Sequence, residues 1–110
     1  AMDRSMSMIV AGDFNLSETF DRWQGGPRGN REWLDRMAAL GFTECLRQHQ
    51  GALTPTYRRP GKVEPESQID HVFVTADLAA KLVNCRTGDA QRVYGQGLSD
   101  HLPVVAEFEA

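Results

Sequence analysis

Three short polar segments stand at the ends of strand-like apolar runs, and each carries side chains suited to acid–base or metal chemistry. Gly-Asp-Phe-Asn occupies residues 12–15, Ile-Asp-His residues 69–71 and Ser-Asp-His residues 99–101. An ionised carboxylate at the end of a buried strand is costly unless it meets a cation, a histidine or a hydrogen-bond donor. Three carboxylates, an amide and a histidine are groups suited to cleaving a phosphoester with a hard divalent cation.

The chemistry of each side chain suggests its role. Ionised Asp13 only accepts hydrogen bonds and could orient or deprotonate a water, while Asn15 could present its amide to a phosphate oxygen. Asp100 is a hard oxygen ligand suited to Mg²⁺ or Mn²⁺. His101 could donate to the phosphate, and a carboxylate on its other ring nitrogen would fix its tautomer and raise its pKa. Asp70 is the candidate for that carboxylate.

Two aromatic side chains near these segments have an ordinary explanation as well as a functional one. His71 alternates with Asp70 along the strand and should point to the opposite face, which favours a packed or surface histidine over a catalyst. Trp23 lies in a glycine-rich loop after Asn15. It could stack on a base or sugar, or simply pack that loop on its own domain.

A basic stretch precedes the second segment and also has two interpretations. Arg58, Arg59 and Lys62 could hold phosphates that flank the scissile one. Glu64 and Glu66 follow at once, which favours a mixed, solvated loop.

The composition is that of one ordinary globular domain. The chain has 110 residues, of which 41% are hydrophobic and 25% are charged. Its net charge of −3 argues against a strong nonspecific polyanion binder, although a bound metal can supply positive charge locally. Cys45 and Cys85 lack metal-ligand spacing, so we expect reduced core thiols in a cytoplasmic protein. No apolar run is long enough to span a membrane, and we do not expect a membrane as a partner.

Apolar patterning predicts the elements that must position these residues. A helix should run from Asn30 to Gly41, and a shorter one, capped by Thr75, over 76–82. Strands are expected at 7–11 (buried), 42–47, 54–58, 69–74, 84–94 and 102–108. We therefore predict a single α/β (α+β) domain over 1–110, with one mixed sheet and two helices in a sandwich layer. If the first strand is antiparallel to the other two, all three polar segments meet at one edge.

The order and the residues of the three segments resemble the motifs of the endonuclease/exonuclease/phosphatase family of magnesium-dependent, DNase I-like phosphoesterases. The resemblance covers nearly the whole chain but only the second half of that family's four-layer sandwich. It implies catalytic roles for Asp13 (water activation), Asn15 (phosphate contact), Asp70 (histidine orientation) and His101. It also implies that Asp100 and Asp13 hold Mg²⁺ or Mn²⁺.

The half of the family's domain that has no counterpart here determines the remaining expectations. That half supplies an Asn, a metal-binding Glu and a His or Tyr facing the phosphate, and its sheet covers an apolar face. We therefore expect weak or no hydrolysis of a phosphoester, nucleic acid or small, by this chain alone. A homodimer, or a separate chain carrying the N-terminal half-domain, should complete it. The alternatives are a noncatalytic remnant acting as an oligomerising or binding module, and a fragment of a longer gene.

Overall fold

Five strands and four α-helices make up the described part of the chain. The computed structural model describes residues 6–22, 28–59 and 67–110. The strands are β1 (Ile9–Asp13), β2 (Thr43–Glu44), β3 (Asp70–Val74), β4 (Leu82–Thr87) and β5 (Val104–Phe108). The helices are α1 (Asn30–Ala39), α2 (Cys45–Gln50), α3 (Ala76–Ala79) and α4 (Ala90–Gly95), with a 3-10 turn at Glu18–Arg22. None of these helices is long and apolar enough to cross a bilayer.

The strands form two small antiparallel sheets. One has the order β1-β3-β2 and the other pairs β4 with β5. The α+β class is confirmed, but the prediction of one mixed sheet with two helices differs from this arrangement. The reason lies in α2, whose Cys45 and Leu46 are fully buried together with Val74 of β3 and Cys85 of β4. The helix thus fills the space between the sheets with apolar side chains instead of a continuous strand ladder.

Two predicted strands end early because an acidic side chain caps a helix. The strand expected at 42–47 stops at Glu44, whose carboxylate accepts from the amides of Leu46 and Arg47 at 3.3 and 2.7 Å. The strand expected at 84–94 stops at Thr87, and Asp89 accepts from the amide of Gln91 at 3.0 Å to start α4. Carboxylates at a helix N-terminus satisfy amides that have no intrahelical partner.

Other element boundaries also differ from the patterning. The strand expected at 54–58 is reduced to bridges of Tyr57 with Ser67 and His101. The short helix ends at Ala79, because the chain turns there and enters β4 at Leu82. β1 is not buried: Ile9 is 59% exposed, since β1 is an edge strand paired with β3 alone among the described strands.

The helix at 30–41 and the core thiols agree with the sequence. Helix α1 begins at Asn30, although Asp21 rather than Asn30 accepts from its first amides. Cys45 and Cys85 are free and buried. Burial raises the pKa of Cys45 to about 12 and that of Cys85 to about 11, with smaller contributions from neighbouring charges.

Candidate functional site

The register of β1 on β3 places two of the predicted carboxylates side by side. The strands run antiparallel, and Asp13 at the end of β1 lies opposite Asp70 at the start of β3. The chain then turns. Asn15 adopts a left-handed backbone with φ of 52°, and its backbone N–H donates to Asp13 Oδ1 at 2.9 Å. Asn tolerates this conformation better than most residues because its short polar side chain bonds locally.

His101 joins this pair from the segment that enters β5, in the other sheet. Its Nδ1 lies 2.9 Å from Asp70 Oδ2. Because an ionised carboxylate can only accept a hydrogen bond, Nδ1 carries a proton and donates a hydrogen bond to Asp70. Nε2 then faces two further carboxylates, with Asp13 Oδ2 and Asp100 Oδ1 each 3.8 Å away. The four side chains thus meet at one edge, as the sequence predicted.

The surrounding carboxylates favour the charged form of His101. Partial burial by itself lowers the pKa of the imidazole. The hydrogen bond and charge of Asp70 oppose this effect, and the charges of Asp13 and Asp100 add to them, so the net pKa is raised. A raised pKa keeps a proton on Nε2 at higher pH, which is what donation to a phosphate oxygen needs.

Backbone contacts from residues 56–58 hold the segment that carries His101. The amide of Leu102 donates to Thr56 O at 2.7 Å, and the amide of Arg58 donates to Asp100 O at 3.0 Å. The Tyr57 ring centroid lies 5.1 Å from that of His101. Patterning missed these contributions of 56–58, because they come from contacts with distant parts of the chain.

Two cavities open beside this group and share His101. One, of about 410 Å³, is lined by Asn15, Asp100, His101, Tyr57, Arg59, Phe20 and Ile69. Asn15 thus shares this cavity with Asp100 and His101. The other, of about 700 Å³, is lined by Asp13, Asp70 and His101 together with mainly apolar residues of β1, β3, α4, β5 and the segment between α4 and β5. A third cavity, of about 380 Å³, lies between α1 and α2, and none of the five predicted site residues lines it.

The carboxylate oxygens of this group fit a hard divalent cation, whereas His101, which donates from Nδ1 to Asp70 and needs a proton on Nε2 to contact a phosphate, is not counted among the ligands. One ligand atom each from Asp13, Asp70 and His101 lie within 4.8 Å of one another. Asp100, which was predicted as a metal ligand, lies outside this group of three, with its Oδ1 3.8 Å from Nε2 of His101. Exposed carboxylate oxygens are the ligands that Mg²⁺ and Mn²⁺ prefer.

The remaining candidates have structural partners or lie outside the described residues. His71 is buried, as expected, with Nε2 donating to Leu16 O at 2.7 Å and Nδ1 accepting from Gln68 Nε2 at 3.3 Å. The Arg58 guanidinium stacks 4.3 Å from the Tyr94 ring centroid. Trp23 and Lys62 fall outside the described ranges, so their roles stay predictions.

Three solved structures share the fold over nearly the whole chain. An AP endonuclease from Archaeoglobus fulgidus matches with a TM-score of 0.80 and 22% identity, over 99% of this chain and 48% of that one. A 3′ phosphatase from Neisseria, bound to a product DNA hairpin, gives 0.77 and 25%, over 94% and 46%. A 3′-5′ exonuclease from Neisseria meningitidis gives 0.74 and 26%, over 97% and 47%. No protein-family model matches the chain, and no curated protein matches it in sequence.

The chain resembles half of a DNase I-like domain. The resemblance to the endonuclease/exonuclease/phosphatase family is thereby confirmed. The chain spans about half the length of each structure that it matches. Which half of the family's domain it represents, and what each site residue does, stay predictions.

Proposed function

We propose that this chain is the C-terminal half of a metal-dependent phosphoester hydrolase that acts on nucleic acid or a smaller phosphate ester. The observation that carries the proposal is the convergence of Asp70, His101, Asp13 and Asp100 from two sheets onto one edge. The structural likeness to nucleases and a 3′ phosphatase, one of them bound to a DNA product, supports a nucleic-acid substrate.

The proposed roles of the site residues are compatible with their contacts. His101 donates from Nε2 to a phosphoryl oxygen, with Asp70 holding the ring through Nδ1. Asp13 lies 3.8 Å from Nε2 and orients or deprotonates the attacking water. Asn15 presents its amide to the phosphate from the 410 Å³ cavity. Asp100, with Asp13, holds Mg²⁺ or Mn²⁺, which when bound offsets negative charge on the phosphoryl oxygens.

The chain alone should hydrolyse weakly or not at all, because two carboxylates are a sparse ligand set for Mg²⁺. The apolar walls of the 700 Å³ cavity and the exposed edge of β1 are surfaces that a partner would cover. A second copy of the chain, or a separate chain carrying the other half of the domain, fits this requirement.

A hydrolysis assay with a metal series tests the enzymatic proposal. A fluorescent DNA hairpin and a generic phosphodiester are incubated at high chain concentration with Mg²⁺, with Mn²⁺ or with EDTA. We expect any cleavage to need the metal and to be abolished by His101→Ala, whereas His49→Ala, at an exposed histidine outside the site, should change nothing. Metal-independent cleavage, or cleavage that survives His101→Ala, would contradict the assignment.

A binding or oligomerising module without catalysis is the second candidate function, favoured by the open edge of β1 and the apolar cavity. Sedimentation at micromolar concentration tests association. We expect a homodimer, and a clean monomer near 12.3 kDa would exclude it. A dimer that shows no metal-dependent cleavage at any tested concentration would favour the noncatalytic module.

A further inference from the structure

Thr56 is a fully buried residue that bonds to the backbone on both sides of the candidate site. Its hydroxyl accepts from the amides of Ile69 and Asp70, at 3.2 and 3.3 Å. Its carbonyl accepts from the amide of Leu102, the residue after His101, at 2.7 Å. Thr56 therefore contacts both chain segments that supply the Asp70–His101 pair, although they enter different sheets.

The hydroxyl fills a position that a neighbouring strand would otherwise occupy. In the β1–β3 ladder, Phe14 donates to Ile69 and Thr75 donates to Met8, so the alternation of antiparallel bonding turns the amide of Asp70 away from β1. On that other side, β2 reaches only Val74 and Phe73 of β3. Beyond β2, side-chain oxygens accept hydrogen bonds from the amides of β3, and the Thr56 hydroxyl accepts from the amide of Asp70.

We propose that the Thr56 hydroxyl is a positioning group that holds Asp70 in register with His101. The carbonyl bond to Leu102 is available to any residue type, but the hydroxyl bond is specific to Thr or Ser. Loss of the hydroxyl frees the backbone at Asp70, so the carboxylate no longer holds the proton on Nδ1 of His101. This inference rests on the proposed function only for its consequence in catalysis, because the geometry itself can be tested without hydrolysis.

The ring tautomer of His101 provides the readout. Long-range proton–nitrogen NMR through the carbon-bound ring protons reports which nitrogen carries the proton, and is recorded without metal at a pH where the ring is neutral. We expect the native chain to carry it on Nδ1. Thr56→Val should shift the population measurably toward Nε2, in the direction seen with Asp70→Asn, and should add nothing to Asp70→Asn. Thr56→Ser, which keeps the hydroxyl, should restore the native signature.

The matched control is Thr54→Val, two residues away, whose hydroxyl donates weakly to Ala52 O at 3.4 Å. It should leave the tautomer unchanged. If Thr56→Val does not fold, Thr56→Cys replaces it, and its weak sulfur acceptor should give a partial shift. A native tautomer in a folded Thr56→Val or Thr56→Cys chain overturns the positioning role and leaves the phosphoesterase proposal standing. Cleavage that survives His101→Ala would overturn the phosphoesterase proposal and leave the positioning role of Thr56 standing.

Discussion

Replacing Asp70 by Asn should destabilise the fold in a pH-dependent way. The substitution keeps the shape of the side chain but removes the charge that, with its hydrogen bond, raises the pKa of His101 against the effect of burial. A histidine whose pKa is raised on folding stabilises the native state fully below its unfolded pKa, about 6.5. That stabilisation is lost as the pH rises through the folded pKa. The difference between the two chains should therefore be largest in mildly acidic solution.

The geometry sets the size of the effect. The Nδ1–Oδ2 distance of 2.9 Å is that of a direct hydrogen bond between charged groups. Solvent reaches both side chains, with exposed fractions of 30% for His101 and 18% for Asp70. The free energy that the pair contributes therefore lies near the upper end of the range for exposed ion pairs. We expect about 1 kcal/mol at pH 5.5, which is a fall in Tm of about 4 to 8 °C for a domain of this size. At pH 8.5 the loss should be smaller, because the stabilisation by the raised pKa of His101 is lost as the pH rises through that pKa.

Thermal melts in EDTA at pH 5.5 and 8.5 measure this difference. Asp100→Asn is the matched control, because that carboxylate is 58% exposed and 3.8 Å from the ring, so its loss should change Tm much less at pH 5.5. NMR titration of His101 should show a lower midpoint in Asp70→Asn. Equal destabilisation at both pH values, or an unchanged midpoint, would refute the reasoning.

Three other substitutions or measurements test single features. Asn15→Ala should lose about 1 kcal/mol of unfolding free energy in denaturant melts because Ala resists the left-handed backbone, whereas Asn15→Gly should not; equal losses would contradict this. Gly88→Ala should destabilise by about 1 to 3 kcal/mol, since its Cβ would lie 2.7 Å from Pro103 Cγ, and an unchanged melt would show that the ring yields freely. Because burial raises the pKa of Cys45 and Cys85, neither should react with a thiol reagent at pH 8 until denaturant unfolds the chain, and rapid native labelling would argue against this packing.

The sequence predicted the convergence of Asp13, Asp70 and His101 better than it predicted the elements around them. Asp13 and Asp70 follow and precede apolar strands, so antiparallel pairing alone brings them together, and that pairing is observed. Glu44 has the local pattern of a strand residue, yet its carboxylate starts a helix. Thr56 carries no local signal, because its importance comes from residues 13 and more positions away in the chain. Periodicity reports which face of an element is buried, whereas bonds between distant segments depend on the assembled fold.

The open edge of β1 has a consequence for amide hydrogen exchange. Residues 10 and 12 belong to the pairs that bond to β3, so their amides should exchange slowly. The amides of Ile9, Ala11 and Asp13 point the other way, where the described residues place no strand, and they should exchange quickly. A partner strand added at this edge would slow those three alternate amides and leave their neighbours nearly unchanged. The exchange pattern would then identify the docking edge residue by residue, and its last protected amide would belong to the same Asp13 whose carboxylate faces His101.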